Sequence, residues 1–212
     1  RVYIIGFDNR RYGDYSDYLA TLELPRRRTG EPIYSNLHEV LDYGKVEDKY
    51  YLSEGYLESL KKHKERHKTK GNGYGYIVVN DDENPVSNAI LATGGSGKER
   101  NLVRDYREGI AGKKVGNKKT PLNQEGIRIM TPSEWGRLQG FVGYAFMKDG
   151  EDLFSFPEQV SDTQRYKQLG NSVTVPVIEE IARFMYSVLT RMDSDRAKKV
   201  VSNNPKELAV LT

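Results

Sequence analysis

The 212 residues carry 33 Lys and Arg against 30 Asp and Glu, a net charge of +3, and contain no cysteine. Disulfides, thiolate zinc sites and a cysteine nucleophile drawn from these residues are thereby excluded. No apolar run is long enough to span a bilayer, and 15 Tyr and 6 Phe among spaced aliphatic clusters are too core-forming for a disordered tail.

In chain order, residues 2–7 (VYIIGF) are a short, β-branched apolar run that predicts a buried strand. Residues 8–17 are polar and Tyr-rich, hence loop. Residues 37–41 (LHEVL) suit a helical turn with Ser35 and Asn36 as caps. Residues 57–68 have only Leu57 and Leu60 as apolar anchors, with Glu58/Lys62 and Lys61/Glu65 at i,i+4, which predicts a mostly exposed helix. The glycines of 70–76 (KGNGYGY) end it. Residues 76–79 and 89–92 are short strand candidates separated by a turn over 81–85. Segments 94–97 (GGSG) and 109–116 (GIAGKKVG) are glycine-rich loops with basic flanks.

Thr131-Pro132-Ser133-Glu134 has the pattern of a helix start: Thr131 caps, Pro132 suits the first helical position and Glu134 completes a capping box. Trp135 and Leu138 then face inward and Gly140 ends the helix. A final helix over about 173–191 places Ile178, Ile181, Ala182, Met185, Val188 and Leu189 on one face. From Asp193 onward a polar, frayed tail is expected.

Charge is unevenly spread. Residues 56–120 hold 14 Lys and Arg against 8 Asp and Glu, while the remainder is mildly acidic. Such an insert suits a polyanion, because each phosphate contact releases condensed counterions; a solvated lysine-rich helix fits the count equally. Gly71, Gly73 and Gly75 follow no strand and read as a hinge rather than a nucleotide loop. Residues 94–98 fail as a phosphate loop, with Ala92 and Glu99 where Gly and Ser or Thr are needed. His63 and His67 share a helix face, but the surrounding lysines oppose a metal ion. Gly94, Gly95, Gly97, Lys98, Arg100, Arg104 and Arg107 combine flexible backbone with basic side chains. That combination can read guanine edges or clamp phosphates, and it also suits an ordinary charged hairpin loop.

Residues 128–141 (RIMTPSEWGRLQGF) resemble the ninth conserved motif of the DNA (cytosine-5) methyltransferases. Tyr166-Lys167-Gln168-Leu169-Gly170-Asn171-Ser172-Val173, followed by Val175-Pro176-Val177, resembles the tenth, and Arg1 through Phe7 resembles the end of the eighth. The resemblance implies an α/β chain containing an incomplete part of a Rossmann-like catalytic domain and a small, irregular, strand-rich target-recognition domain. Residues 1–44 would be the strand and connection of the catalytic domain, 45–123 the recognition domain, 124–192 the returning helices, and 193–212 a flexible tail. The basic insert lies within the recognition segment.

The same resemblance implies S-adenosylmethionine as cofactor and double-stranded DNA as partner, in a cytoplasmic, nucleoid-associated prokaryotic protein of a restriction-modification system. Cytosine is flipped from the duplex because its C5 is inaccessible in the stack. In the family a Cys thiolate attacks C6 and a Glu supports N3; both motifs lie upstream of the eighth. The chain is therefore expected to be the C-terminal half, inactive alone and complemented by an N-terminal catalytic half or subunit. A fragment, a split enzyme and a degenerate homologue are all compatible. So is a non-catalytic nucleic-acid-binding or regulatory subunit.

By resemblance Arg1 is a supporting residue near the flipped base, and Asn171, Ser172 and Val173 line the cofactor pocket. Arg128, Glu134 and Arg137 are framework. The family often has Arg, Ala and Pro where Ser133, Gly136 and Val142 stand. Ala89-Ile90 replaces its Thr-Leu or Thr-Val pair, which shifts the expected base contact to the loop over 92–100, with Gly94, Gly95, Gly97, Lys98, Arg100 and Arg104 as DNA-binding residues.

Overall fold

The computed structural model describes residues 2–25, 31–44, 46–71, 75–83, 86–91, 98–116 and 118–203. The chain is mixed α/β and divides into two compact units, residues 31–175 and residues 1–30 with 176–212.

The larger unit is organised around a three-stranded sheet. β1 (Ile77–Val78) runs parallel to β2 (Asn101–Arg104), which pairs antiparallel with β3 (Ile127–Ile129), placing Leu102 opposite Ile129 and Val103 opposite Arg128. The segment around Tyr51 and Leu52 borders β3 on its other side, through a bridge from Tyr51 to Arg128 and a bond from the Leu52 amide to the Ile127 carbonyl. Every residue of β3 is buried, as expected for a strand covered on both faces. Asn123 closes the turn that enters it. Its amide nitrogen donates to the Leu52 and Ile127 carbonyls at 2.7 and 2.8 Å, and its oxygen accepts from the Glu125 and Ile127 amides. Gly126 in that turn has φ +64, and a Cβ there would lie 3.1 Å from the Asp105 carbonyl oxygen, so both backbone and space demand glycine.

The helix at 54–69 (α3, Glu54–Thr69) starts earlier than its apolar anchors suggest and buries Leu57 against the sheet. The next helix, α4 (Pro132–Gln139), has the expected capping box: the Glu134 amide donates to Thr131 Oγ1 at 3.1 Å and the Thr131 amide to Glu134 Oε2 at 2.6 Å. Such a cap contributes on the order of 1 kcal/mol. Gly140 ends the helix at φ 76. Trp135 is buried and meets the Tyr166 ring of α5 (Asp162–Asn171) edge-on at 4.9 Å, while the Tyr166 hydroxyl donates to the Met130 carbonyl at 2.5 Å. The π-type turn Phe141–Ala145 follows α4. Then comes a hairpin of β4 (Met147–Lys148) and β5 (Glu151–Asp152), turned on Asp149 and Gly150 at φ 51 and 85.

In the smaller unit, residues 2–7 do not form the predicted strand. Val2 and Ile4 are 89% and 92% exposed, and no described strand pairs with them. Apolar character predicts a strand only where a partner edge is available. The expected loop at 8–17 contains a short helix, α1 (Asn9–Tyr12), whose Arg10 amide donates to the Asp8 side chain, and the start of α2 (Ser16–Ala20). The final helix, α6 (Val175–Asn203), runs well past Asp193, so the expected frayed tail is helical to 203. Val188 and Met192 on it are buried at i,i+4 spacing. Residues 86–91 have no regular structure, so the expected strand at 89–92 is not formed over them; the strand lies ten residues on, as β2.

Candidate nucleic-acid interface

The rigid base of the candidate site is a buried ion cluster. Arg128 is fully buried at the centre of β3 and donates from Nε to Asp105 at 2.8 Å and from Nη1 and Nη2 to the two oxygens of Glu134, each at 2.8 Å. Glu134 also accepts from the Thr131 and Asp42 amides, so its carboxylate is saturated. Burial disfavours the Arg128 charge, but the two carboxylates outweigh that and raise its pKa. Arg137, one turn beyond Glu134, bonds the Val40 carbonyl and pairs with Asp42 at 2.8 Å. Residues 40–42, 105 and 128–137 are thus joined in one hydrogen-bonded network.

Two asparagines, Asn101 and Asn80, frame β2. Asn101 is fully buried and exchanges hydrogen bonds with the Asn88 backbone: it accepts from the amide at 2.7 Å and donates to the carbonyl at 2.9 Å. Asn88 returns a bond to the Arg100 carbonyl at 3.0 Å. Each side chain thereby substitutes for a missing strand partner. At the far end Asn80 accepts from the Arg104 amide at 2.8 Å and donates to its carbonyl at 2.7 Å. The residues that enter and leave the segment 89–100 are therefore tied to each other at 88 and 101, while Asn80 extends the parallel β1–β2 pairing to Arg104. Sequence reading missed these asparagines, because isolated amides next to apolar residues carry no periodic signal.

The predicted DNA-binding residues fall as follows. Gly94, Gly95 and Gly97 lie outside the described residues, as does Arg1. Lys98 opens a single 3-10 turn, Lys98–Arg100. Its Glu99 is buried and accepts from the Tyr56 hydroxyl at 2.9 Å; burial and this carboxylate push the Tyr56 phenol up to about 12. Arg100 is half-buried beside Tyr56 and His63 in a cleft of about 360 Å³. Arg104 is exposed and forms a bidentate pair with Asp81, both bonds at 2.8 Å. Lys62, Lys64, Arg66, Lys68 and Lys70 of the basic insert are exposed.

The predicted cofactor segment lies in a firmly anchored turn. Ser172 ends α5, with its amide on the Gln168 carbonyl and its hydroxyl donating to the Leu169 carbonyl at 2.7 Å. Thr174 donates to Gln139 Oε1 at 2.6 Å, and Gln139 donates in turn to the Leu169 carbonyl, so α4 holds the turn. Asn171 and Val173 are exposed on it. An exposed amide and an exposed apolar side chain on fixed backbone are chemically suited to one wall of an adenosyl pocket. Among the described residues no group of three acidic or imidazole side chains could hold a metal, and no helix is long and apolar enough to cross a membrane.

The C-5 cytosine-specific DNA methylase family matches residues 1–187, and the chain belongs to that family. It is 42% identical over 179 residues to the type II methyltransferase M.HpaII of Haemophilus parainfluenzae, covering 84% of this chain and 43% of that protein. It is 32% identical to M1.ScrFI of Lactococcus lactis over 90% of this chain and 40% of that one. A methyltransferase structure from Entamoeba histolytica aligns with a TM-score of 0.48 at 20% identity, over 80% of this chain and 45% of that chain. The chain spans less than half the length of the curated relatives it matches.

Proposed function

We propose that these residues form the DNA-recognition and cofactor-pocket-completing portion of a DNA (cytosine-5) methyltransferase of a restriction-modification system. Residues 45–123 are the recognition domain, set against the returning part of a Rossmann-like catalytic domain. The observation that supports this reading is the pair of fixed ends that Asn88 and Asn101 give the basic segment between them, in the same unit as the buried Arg128–Glu134–Asp105 cluster. A base-reading loop needs that fixity, because a bidentate contact discriminates only when its donor is held in register with the base edge.

Within this reading Lys98 and Arg100, with the glycines at 94, 95 and 97, approach the major groove of double-stranded DNA. Arg104 supports β2 through Asp81. Asn171, Ser172 and Val173 supply one wall for S-adenosylmethionine, which when bound carries the methyl group on its sulfonium. Arg1 lies beside the flipped cytosine. The thiolate that attacks C6 comes from another segment or subunit, since these 212 residues include no cysteine.

Selection from a random duplex pool tests the recognition half of the proposal. The chain is expected to enrich one short motif containing cytosine; a pool that stays random after repeated rounds rejects it. The purified 212-residue polypeptide is expected to transfer no labelled methyl from S-adenosylmethionine to DNA, and incorporation into cytosine would overturn the division of labour.

A further inference from the structure

The cations of α3 differ in what they touch, and Lys68 is exposed away from the two sets that follow. Lys61 is paired with Glu58 and Glu125, and Lys64 lies over the Tyr76 ring at 4.7 Å. Lys62, Arg66 and Lys70 stand at i, i+4 and i+8, which is one line along the outer face; Lys70 is the residue that closes the helix. All three are exposed, and none pairs with a carboxylate among the described residues.

The line continues onto a second element. Gly55, seven residues before Lys62, lies on the same face. Its amide donates to Thr120 Oγ1 at 2.8 Å, and a Cβ at 55 would meet that hydroxyl at 3.1 Å. The missing side chain thus seats Thr120 on the helix and brings its exposed neighbour Lys119 to the start of the line. From Gly55 to Lys70 the helix rises about 22 Å, with successive cations about 6 Å apart over its second half. Glu58, one turn before Lys62 on this line, is taken up by Lys61, and Glu65 lies at its margin. Like charges at i,i+4 destabilise a helix slightly, so an aligned row is a cost unless something anionic neutralises it.

We propose that Lys62, Arg66, Lys70 and Lys119 form a sequence-independent track for a DNA phosphate backbone, separate from the base-reading loop. It rests on the recognition role proposed above and assigns affinity to this face and choice of sequence to the loop. Regularly spaced point charges on a rigid helix suit evenly spaced phosphates. They carry no base information, because phosphate contacts set position and not identity.

The test measures binding of the 212-residue chain to a labelled 24-base-pair duplex of random sequence across a salt series. The triple variant Lys62→Ala, Arg66→Ala, Lys70→Ala is expected to make the slope of log K against log salt shallower by roughly 2.7, about 0.9 for each phosphate no longer neutralised. The charge-preserving triple Lys62→Arg, Arg66→Lys, Lys70→Arg is expected to keep the parent slope. Lys119→Glu, which lies outside the helix and spares its folding, should make the slope shallower by at least about 0.9. The ratio of affinities for an enriched motif and the random duplex should be the same in parent and variants. A parent slope retained in the alanine triple or in Lys119→Glu overturns the track while leaving the recognition role standing. A parent chain that binds no duplex at low salt removes both.

Discussion

Gly136 lies inside α4, where alanine would ordinarily stabilise the helix by about 0.5–1 kcal/mol. Here a Cβ at 136 would fall 2.5 Å from Val142 Cγ2, more than 1 Å inside carbon–carbon contact distance. Val142 cannot swing away freely. Its β-branch restricts χ1, and its carbonyl is held by the Tyr34 hydroxyl at 2.7 Å. Overpacking of this kind costs about 1–3 kcal/mol, so Gly136→Ala is expected to be net destabilising by about 1 kcal/mol. In a Val142→Ala background only the Cβ remains, at 3.4 Å, which is ordinary contact. The same Gly136→Ala change should there stabilise by about 0.5–1 kcal/mol. Urea unfolding of the four proteins closes the cycle, and the sign reversal is its signature. A Gly136→Ala effect of equal size and sign in both backgrounds refutes the reasoning. The two departures from the family pattern at 136 and 142 would then be unrelated, instead of one exchange of volume between neighbours.

Further outcomes are expected elsewhere. Glu134→Ala leaves the fully buried Arg128 with Asp105 as its one carboxylate partner and should cost about 3–5 kcal/mol in urea unfolding. Asn101→Ala strips partners from the Asn88 amide and carbonyl; hydrogen exchange at the Asn88 amide should accelerate, with a loss of about 1–3 kcal/mol. Asp162 is raised by burial but lowered more by the Tyr50 hydroxyl and Lys49, so its folded pKa lies below 3.8. A depressed carboxylate contributes stability that is complete above its unfolded pKa and lost as pH falls through the folded one. Asp162→Asn should therefore be less stable than the parent at pH 7, with the gap closing below about pH 4 in thermal melts.

What the sequence disclosed depended on how local the cause was. The α4 start was legible because Thr131, Pro132 and Glu134 encode it within four residues, and the exposed character of α3 followed from two apolar anchors among charges. The Asp149-Gly150 turn was equally local, though its two-residue strands are too short to register as periodic. β2 and β3 were missed because Asn101, Arg104 and Arg128 interrupt their apolar runs. Those polar residues are buried or paired through partners 6 to 24 positions away, and that compensation exists only after folding. The reverse error at residues 2–7 has the same root, since an apolar run states a preference and not the presence of a neighbouring edge. Among the candidate site residues, the pairing of Arg104 with Asp81 was equally illegible, because the two lie 23 positions apart.

The paired amides at 88 and 101 have a consequence for how such a module diversifies. Because the Asn101 side chain holds the Asn88 main chain and the Asn88 side chain holds the Arg100 carbonyl, the grip uses only residues 88, 100 and 101, and the stretch between 88 and 100 can be exchanged or lengthened with its take-off and landing points unchanged. A graft of a foreign reading segment at this junction would inherit the host's footing, so new sequence preferences can arise by replacing a tip without redesigning what bears it.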